Sequence, residues 1–204
     1  MKKILAITSL LMAILTVNVS AQPITYVVQP GDSMWKIASK YEVGVSEIIA
    51  SNPSVSNPSM IYPGQKLVVP TLNDIKAMEN EVIRLVNVER SKKGLQPLVQ
   101  NWQLSRVARY KSQDMINKNY FSHTSPTYGS PFTMMQNFGV KFSAAGENIA
   151  MGQTSPSAVM VSWMNSPGHR SNILSPTYNQ IGVGLAIDKS GKKYWTQQFI
   201  KTMY

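Results

Sequence analysis

Two Pro-Gly pairs, Pro30-Gly31 and Pro63-Gly64, mark sharp turns that enclose a short stretch in the first third of this chain. Pro-Gly is a strong turn signal, because proline presets one backbone angle and glycine adopts positive φ without steric cost. The stretches just outside the turns, Thr25–Gln29 and Lys66–Val69, are rich in β-branched residues and predict strands. The chain between the turns must therefore fold back within a small, self-contained module.

Two helices are predicted inside this module. The first has apolar residues at helical spacing, and Asp32 or Ser33 is its predicted N-cap. The second is shorter, with Ser46 as its predicted cap and Asn52-Pro53 as its end. The two apolar stripes are Met34, Ile37, Ala38 and Tyr41, then Val45, Ile48 and Ile49. The order strand, helix, helix, strand fits in about 45 residues, which is too few for a large core and favours a binding module over an enzyme.

This module resembles a LysM domain from end to end, with residues 22–70 as its bounds. The matching segments are Tyr26–Ala38 and Ile61–Leu67. LysM domains bind N-acetylglucosamine glycans, meaning peptidoglycan or chitin, in a shallow groove between the first strand–helix loop and the second helix–strand loop. The resemblance implies that the glycan-binding residues here are Gly31, Asp32, Ser33, Met34, Asn52, Pro53 and Ile61.

Residues 1–21 predict an export signal. Lys2 and Lys3 precede an apolar run from Ile4 to Val17, and the small residues Val19-Ser20-Ala21 predict cleavage before Gln22. The run has fourteen residues, fewer than the ~20 that span a bilayer, so cleavage is favoured over a membrane anchor. We therefore expect a secreted protein associated with the cell wall, and its LysM-like module adds a spore coat as an alternative location.

Positive charge is concentrated in the C-terminal part of the chain. The net charge is +10, and it is +8 without Lys2 and Lys3. Residues 22–70 sum to zero, so residues 71–204 carry the whole excess. Outside a cell, the anionic partners for such a surface are wall polymers and lipid headgroups rather than nucleic acid; the alternative is that the charge only maintains solubility.

A second domain is predicted at 76–204, after a short linker at 71–75. Helices begin near Asn73, Asn101, Ser130 and Ser155. Strands Gln180–Ile187 and Lys192–Ile200 flank the turn Asp188–Gly191, and Glu147–Ala150 is a candidate third strand. Helices with an antiparallel sheet predict an α+β fold. The short polar junction further predicts that the two modules unfold separately.

Three polar side chains of this domain, His123, Glu147 and His169, lie at the ends of elements beside glycine, serine or proline. Functional groups are often presented at such positions. The chain has no cysteine and only these two histidines, so disulfides and cysteine-based zinc sites are excluded. The spacing of the three residues matches no metal motif, and satisfied structural roles remain an alternative.

This domain resembles a CAP domain, the superfamily of cysteine-rich secretory proteins, insect venom antigens and plant pathogenesis-related proteins, on its cysteine-free bacterial branch. The segments that match are Leu85–Arg90, Phe121–Pro126, Gly146–Ala150, Trp163–Leu174 and Ile181–Gly184. The resemblance implies a three-layer α-β-α sandwich whose cleft holds two histidines and two acidic residues. His123, Glu147 and His169 match three of them; the second acid, expected three residues after Trp163, is Ser166 here.

The matched residues are one group short of a convincing hydrolase. Two imidazoles and a carboxylate can hold Zn²⁺ with a position open to water, but hydrolysis also needs a general base. If Glu147 is a ligand, no base remains, and if it is the base, only two ligands remain. Asp114 or Asp188 can substitute, but the sequence places neither. We therefore assign no catalytic residue and expect weak Zn²⁺ binding, if any, at His123, Glu147 and His169.

Three hypotheses of function follow. The leading one is an exported, cell-wall-associated protein that binds peptidoglycan through LysM and presents a CAP domain, without catalysis, to a ligand, metal or partner. The second is a metal-dependent hydrolase that LysM targets to the wall. The third is a spore-coat or envelope assembly protein.

Overall fold

The computed structural model describes residues 23–203 of the chain, so the predicted export signal at residues 1–21 lies outside it. Among these residues, no helix has both the length and the hydropathy that crossing a membrane requires. The N-terminal elements are β1 Ile24–Val27, α1 Met34–Tyr41, α2 Val45–Ser51 and β2 Lys66–Val69. The remaining elements are α3 Asn73–Ser91, β3 Val99–Gln100, α4 Trp102–Asn117, α5 Pro131–Asn137, β4 Ala144–Met151, α6 Pro156–Asn165, α7 Pro167–Ile173, β5 Gln180–Ile187 and β6 Lys193–Lys201.

The first module has the predicted strand–helix–helix–strand order. Strands β1 and β2 pair antiparallel, and the two helices enclose a small apolar core against them. Ser33 is the N-cap of α1, where its hydroxyl accepts a hydrogen bond from Lys36 N at 3.2 Å. The predicted cap of α2, Ser46, is wrong. Gly44 is the N-cap, and its N–H donates to the Glu47 carboxylate at 2.9 Å, so an acid in the first turn takes the capping role.

The second domain is a three-layer α-β-α sandwich, as the resemblance implied. Its sheet has the strand order β3-β5-β6-β4, with β5, β6 and β4 antiparallel and β3 parallel to β5. Helices α3, α6 and α7 enclose the larger core on one face of the sheet. Helices α4 and α5 form the core on the other face. Strand β4 is longer than the predicted Glu147–Ala150 and lies at the edge of the sheet.

Helix α4 packs unusually close to strand β5, and two glycines permit this approach. A Cβ added at Gly182 would overlap the backbone of Leu104, and one added at Gly184 would overlap the backbone of Arg109. Any side chain at either position would push the helix off the sheet. This contact fixes α4 on β5, an inner strand of the sheet.

The connection between the two modules is shorter than the predicted linker at 71–75. Helix α3 begins at Asn73, so residues 73–75 form its first turn. Only Pro70, Thr71 and Leu72 connect β2 with this helix. The helix continues to Ser91 and ends before Gly94, as its apolar periodicity predicts.

Candidate functional site

The structure brings two of the sequence-predicted site residues into direct contact at the edge strand of the sheet. His123 Nδ1 lies 2.9 Å from Oε1 of Glu147 on β4. The other carboxylate oxygen, Oε2, accepts a hydrogen bond from Gln198 Nε2 on β6 at 3.0 Å. The Glu147 side chain is 1% exposed, whereas that of His123 is 51% exposed. The Glu147 carboxylate is therefore buried, whereas the His123 imidazole is accessible to a ligand from solvent.

The hydrogen bond to Glu147 determines which ring nitrogen of His123 is available. In the neutral imidazole, a carboxylate acceptor beside Nδ1 favours the proton on that nitrogen. The lone pair is then on Nε2. This nitrogen can accept a hydrogen bond, take a proton or coordinate a metal ion.

A buried lysine on α4 holds the backbone of His123. Lys111 Nζ donates to the His123 carbonyl oxygen at 2.7 Å and to Tyr120 Oη at 3.1 Å. The Lys111 side chain is fully buried. Burial lowers the pKa of Lys111, against the opposing effect of the Glu147 and Asp114 carboxylates. Lys111 therefore anchors the loop that carries the exposed imidazole.

Asp114, one turn further along α4, secures the same loop. Its carboxylate accepts hydrogen bonds from Tyr120 at 2.8 Å, Ser125 at 2.6 Å and Thr127 at 2.7 Å. Burial acts to raise the pKa of Asp114, but these hydrogen bonds outweigh it and hold that pKa below its usual value. Asp188, the other substitute considered, accepts bonds from Ser190 and Lys192 in the β5–β6 turn. The carboxylates of Asp114 and Asp188 therefore stabilise the loops around them. Because their oxygens are engaged in these hydrogen bonds, neither is suited to act as a general base.

His169, the third residue of the sequence-predicted set, lies on helix α7. Burial lowers the pKa of His169, and the nearby His123 lowers it further. The His169 carbonyl oxygen accepts a hydrogen bond from Asn148 Nδ2 at 3.1 Å, which ties α7 to strand β4. Ser166, at the position of the expected second acid, is the N-cap of α7. Of the two acids that the resemblance implied, only Glu147 is therefore present at its expected position.

A layer of amides supports the cleft, and the sequence analysis did not identify it. Asn148 Nδ2 donates to Gln197 Oε1 at 2.9 Å, and Asn172 Nδ2 donates to Asn148 Oδ1 at 2.8 Å. Gln198, the partner of Glu147, belongs to the same strand as Gln197. The signal for these residues was the run of polar side chains in the middle of an otherwise apolar strand, Thr196-Gln197-Gln198.

The site does not fit a resident metal ion in this conformation. Within residues 23–203, no three His, Cys, Asp or Glu side chains come close enough together to hold one. Both oxygens of Glu147 already have partners, His123 and Gln198, which compete with any metal. Weak Zn²⁺ binding by His123, Glu147 and His169 stays a prediction, and we derive no metal-dependent step.

In the LysM module, several residues of the implied glycan groove have structural roles. Asp32 accepts hydrogen bonds from Tyr26 Oη at 2.7 Å and from the backbone N of Gln29 at 2.8 Å. The Gln29 bond, followed by the Tyr26 bond, lowers the pKa of Asp32. Met34 is buried in the core, and Ser33 caps α1 while staying exposed. These residues shape the first loop of the groove.

Asn52 is the most strongly engaged residue of this set. Its Nδ2 donates to the carbonyl oxygens of Ile48 and Val68, both at 2.7 Å, and its Oδ1 accepts from Val68 N at 2.8 Å. It joins helix α2 to strand β2 and is buried. Gly31 and Pro53 are exposed, and Ile61 is half-buried against the core.

Exposed aromatic side chains are a feature of the LysM surface that the sequence analysis missed. Trp35 is 61% exposed and Tyr62 is 60% exposed, and Met60 is exposed as well. Met60 and Tyr62 line a mainly polar cavity of about 280 Å³ in the α2–β2 loop. Trp35 lies outside the apolar stripe of α1, and this position in the sequence could have predicted its exposure. Aromatic rings that offer one face to solvent suit the apolar faces of sugars.

The sandwich fold, together with the histidine–glutamate pair at its edge strand, defines a CAP-type domain. The model of the cysteine-rich secretory protein family, CAP, matches residues 83–199, and the LysM domain model matches residues 26–70. The chain therefore belongs to the CAP family and carries an N-terminal LysM domain.

Relatives match either the CAP part or the LysM part. YkwD of Bacillus subtilis (strain 168) is 56% identical over 128 residues, which are 63% of this chain and 49% of that protein, so the chain spans about half the length of this relative. A solved Bacillus anthracis extracellular protein with an SCP domain has 37% identity and a TM-score of 0.58, over 69% of this chain and 47% of that one.

Two further relatives are similar to the N-terminal part. SpoIVD-associated factor A of Bacillus subtilis (strain 168) is 52% identical over 46 residues, covering 22% of this chain and 12% of that protein. The N-acetylmuramoyl-L-alanine amidase sle1 of Staphylococcus saprophyticus is 42% identical over 71 residues, covering 33% of this chain and 21% of the amidase.

Proposed function

We propose that this is an exported, cell-wall-associated protein that binds peptidoglycan through its LysM domain and presents its CAP domain for ligand or partner binding. The observation that carries the proposal is the match of the LysM domain model to residues 26–70. One relative of the LysM part is named N-acetylmuramoyl-L-alanine amidase, which supports a role at a glycan that contains N-acetylated sugars.

The exposed groups of the LysM module support glycan binding. Gly31 and Pro53 leave the backbone of the two loops accessible, and backbone amides can hydrogen-bond the acetamido groups of the sugar. Trp35 and Tyr62 offer large apolar surfaces to the sugar rings. A shallow polar surface with a few exposed aromatic side chains is suited to bind a long glycan chain, because one side of the glycan can contact this surface along its length.

The CAP cleft supports binding rather than catalysis. Glu147 is held by His123 and Gln198, Asp114 by three hydroxyl groups, and position 166 is a serine. The His123 side chain is half exposed, and its Nε2 is the ring nitrogen that does not contact Glu147. It is placed to accept a hydrogen bond from a bound hydroxyl or amide group.

A sedimentation assay with insoluble peptidoglycan tests the proposal on the secreted protein. We expect Trp35→Ala and Tyr62→Ala each to weaken binding by about five- to tenfold, since an aromatic contact contributes about 1 kcal/mol. Phe132→Ala is the matched control, because Phe132 is an exposed aromatic residue of the CAP domain. Equal binding by all four proteins would exclude these two aromatic contacts, and no sedimentation at all would overturn the proposal.

Assembly into a spore layer is a second candidate function. It is favoured by the 52% identity between the LysM part of the chain and SpoIVD-associated factor A. Immunoblots of vegetative walls and of purified spores from the same culture distinguish the candidates. Presence in spores alone supports the second candidate, and presence in vegetative walls supports the first.

Hydrolysis is the third candidate, and the exposed imidazole of His123 favours it, because the ring nitrogen that does not contact Glu147 can act as a general base. A turnover screen on peptidoglycan and on denatured protein, with and without chelator, tests it. Product formation that disappears in His123→Ala would support a hydrolase. If wild type and His123→Ala have equal activity, His123 takes no part in the reaction, and the catalytic site lies elsewhere.

A further inference from the structure

The segment that runs from the last residue of α1, through the connecting turn, into the first turn of α2 lies against helices α3 and α4 of the CAP domain. We call residues 41–47 the docking loop. The hydroxyl groups of Ser46 and Tyr110 are 3.1 Å apart, and Lys76 Nζ donates to the Tyr41 carbonyl oxygen. These bonds join residues 64 and 35 positions apart in the chain, so they are tertiary contacts between the modules.

Charge complementarity accompanies these hydrogen bonds. The LysM module has only three acidic residues, and two of them, Glu42 and Glu47, are in the docking loop. Glu42 lies 3.6 Å from Lys76, and Glu47 lies 3.9 Å from Arg106. The CAP side supplies the basic partners, in agreement with the excess positive charge of residues 71–204.

The shape of the contact gives a separate argument, centred on Gly44. Its φ is −79°, which any residue adopts, so this glycine is not needed for backbone conformation. A Cβ at this position would lie 2.6 Å from Arg106 Nε. The guanidinium itself is fixed, over the rings of Tyr110 at 5.3 Å and Phe138 at 5.6 Å. A side chain at Gly44 would therefore displace the Arg106 guanidinium from this position.

The contact depends on charge and hydrogen bonding more than on apolar burial. Beside it lies an open cavity of about 340 Å³, whose lining includes Glu47 from the LysM module and Leu72, Ile75 and Leu185 from the rest of the chain. Apolar surface that stays around a cavity contributes little to docking. The three-residue connection, Pro70–Leu72, keeps the two partners close without fixing their orientation.

We propose that the docking loop holds the LysM module on α4 in solution, so that the two modules move as one body. This replaces our sequence-based expectation that the modules are independent. The groove loops, with Gly31, Pro53 and Tyr62, take no part in the docking contacts, so the glycan-binding face stays open. A protein bound to a wall polymer would then present its CAP cleft in one fixed orientation.

Rotational correlation times from ¹⁵N relaxation of the secreted protein, Gln22–Tyr204, test this proposal. We expect residues 26–70 and 83–199 to share one correlation time at about 50 mM salt. Two different times in the wild type at this salt concentration would overturn the proposal. We further expect the two modules to have different correlation times in 1 M salt. At this concentration the Debye length is about 3 Å, so the charge pairs between the modules are screened.

Two variants locate the interaction. Gly44→Leu should separate the correlation times, whereas Gly168→Leu should not, because an added Cβ at Gly168 meets no atom within 4 Å. Arg106→Glu changes only the CAP side and should separate the times with the LysM sequence intact. If both Gly44→Leu and Arg106→Glu keep one common time, the docking loop is not the contact. Sedimentation with peptidoglycan should be unchanged in Arg106→Glu, which keeps this test independent of the proposed function.

Discussion

Glu147 and His123 are 24 positions apart in the chain, yet a carboxylate oxygen of the first lies 2.9 Å from Nδ1 of the second. Glu147 is positioned by strand pairing, opposite Gln198 on β6. His123 is positioned by α4, through its carbonyl oxygen and Lys111. The pair therefore depends on two separate elements, and either one can be disturbed without changing the other.

Replacing Lys111 by methionine should loosen the His123 loop. Methionine has a similar length but cannot donate, so the His123 carbonyl oxygen and Tyr120 Oη lose a partner. We expect a loss of about 2–3 kcal/mol of stability, since the lost bonds involve a charged donor. Hydrogen exchange of residues 120–129 should accelerate more than that of strand β5. Uniform acceleration throughout the domain would indicate a general packing role for Lys111 instead.

Replacing Asn52 by alanine should destabilise the LysM module. The sequence analysis assigned Asn52 to the glycan groove, but its amide makes three hydrogen bonds that join α2 to β2. Removing them leaves buried backbone groups of Ile48 and Val68 unpaired, at a cost of about 2–4 kcal/mol.

Thermal unfolding of residues 22–204, followed by circular dichroism, measures this change. Asn57→Ala is the matched control, since Asn57 bonds only to the nearby Ser59 N in an exposed loop. An Asn52→Ala variant with the control's melting profile but weaker peptidoglycan binding would restore the groove assignment.

Glu79 should make the CAP domain less stable as the pH rises from about 4.5 to about 7. Burial raises the pKa of Glu79 from 4.5 to about 7, against the opposing charge of Arg109. Between these two values the folded state holds a proton that the unfolded state has released, so this group's contribution to the free energy of unfolding falls with increasing pH. Glu79→Gln cannot titrate and should remove this slope.

Urea unfolding at several pH values between 4.5 and 7.5 measures the slope in wild type and in Glu79→Gln. Glu81→Gln is the control, because Glu81 is an exposed residue of the same helix, paired with Arg84. A slope that persists unchanged in Glu79→Gln would assign the pH dependence to other groups.

Local signals in the sequence predicted most of the fold. Ser33, Asn101, Ser130 and Ser155 are all N-caps in the structure, because a capping side chain bonds a backbone N–H only three residues away. Helix α7 was not predicted as a helix, since it is only seven residues long and contains Gly168. Strand β3 was also missed, because its two residues form a strand only through parallel pairing with β5, about 80 positions later.

The candidate site was only partly predictable, because its contacts are long-range. The family resemblance grouped His123 with Glu147, and in the structure His123 Nδ1 lies 2.9 Å from Glu147 Oε1. No spacing rule relates Lys111 to the carbonyl oxygen of His123, or Gln198 to the carboxylate of Glu147. The docking loop was also beyond sequence reasoning, since Gly44 has the appearance of an ordinary turn glycine until Arg106 is placed beside it.

Zn²⁺ should bind the CAP cleft at micromolar affinity or weaker, if the side chains rearrange to admit it. Two imidazoles with one carboxylate form an incomplete set of ligands, and the metal must displace Gln198 or His123 from Glu147. Protons compete with the metal for imidazole nitrogens, so binding measured by calorimetry should weaken as the pH falls; burial lowers the pKa of His169, which delays this competition at that residue. The His123→Ala, His169→Ala double variant should show no uptake, and Ser166→Glu should strengthen binding by supplying a second carboxylate. If the wild type takes up no Zn²⁺ at neutral pH, His123 and Glu147 form a hydrogen-bonded pair without a role in metal binding. If the double variant still takes up Zn²⁺, the metal binds at other residues.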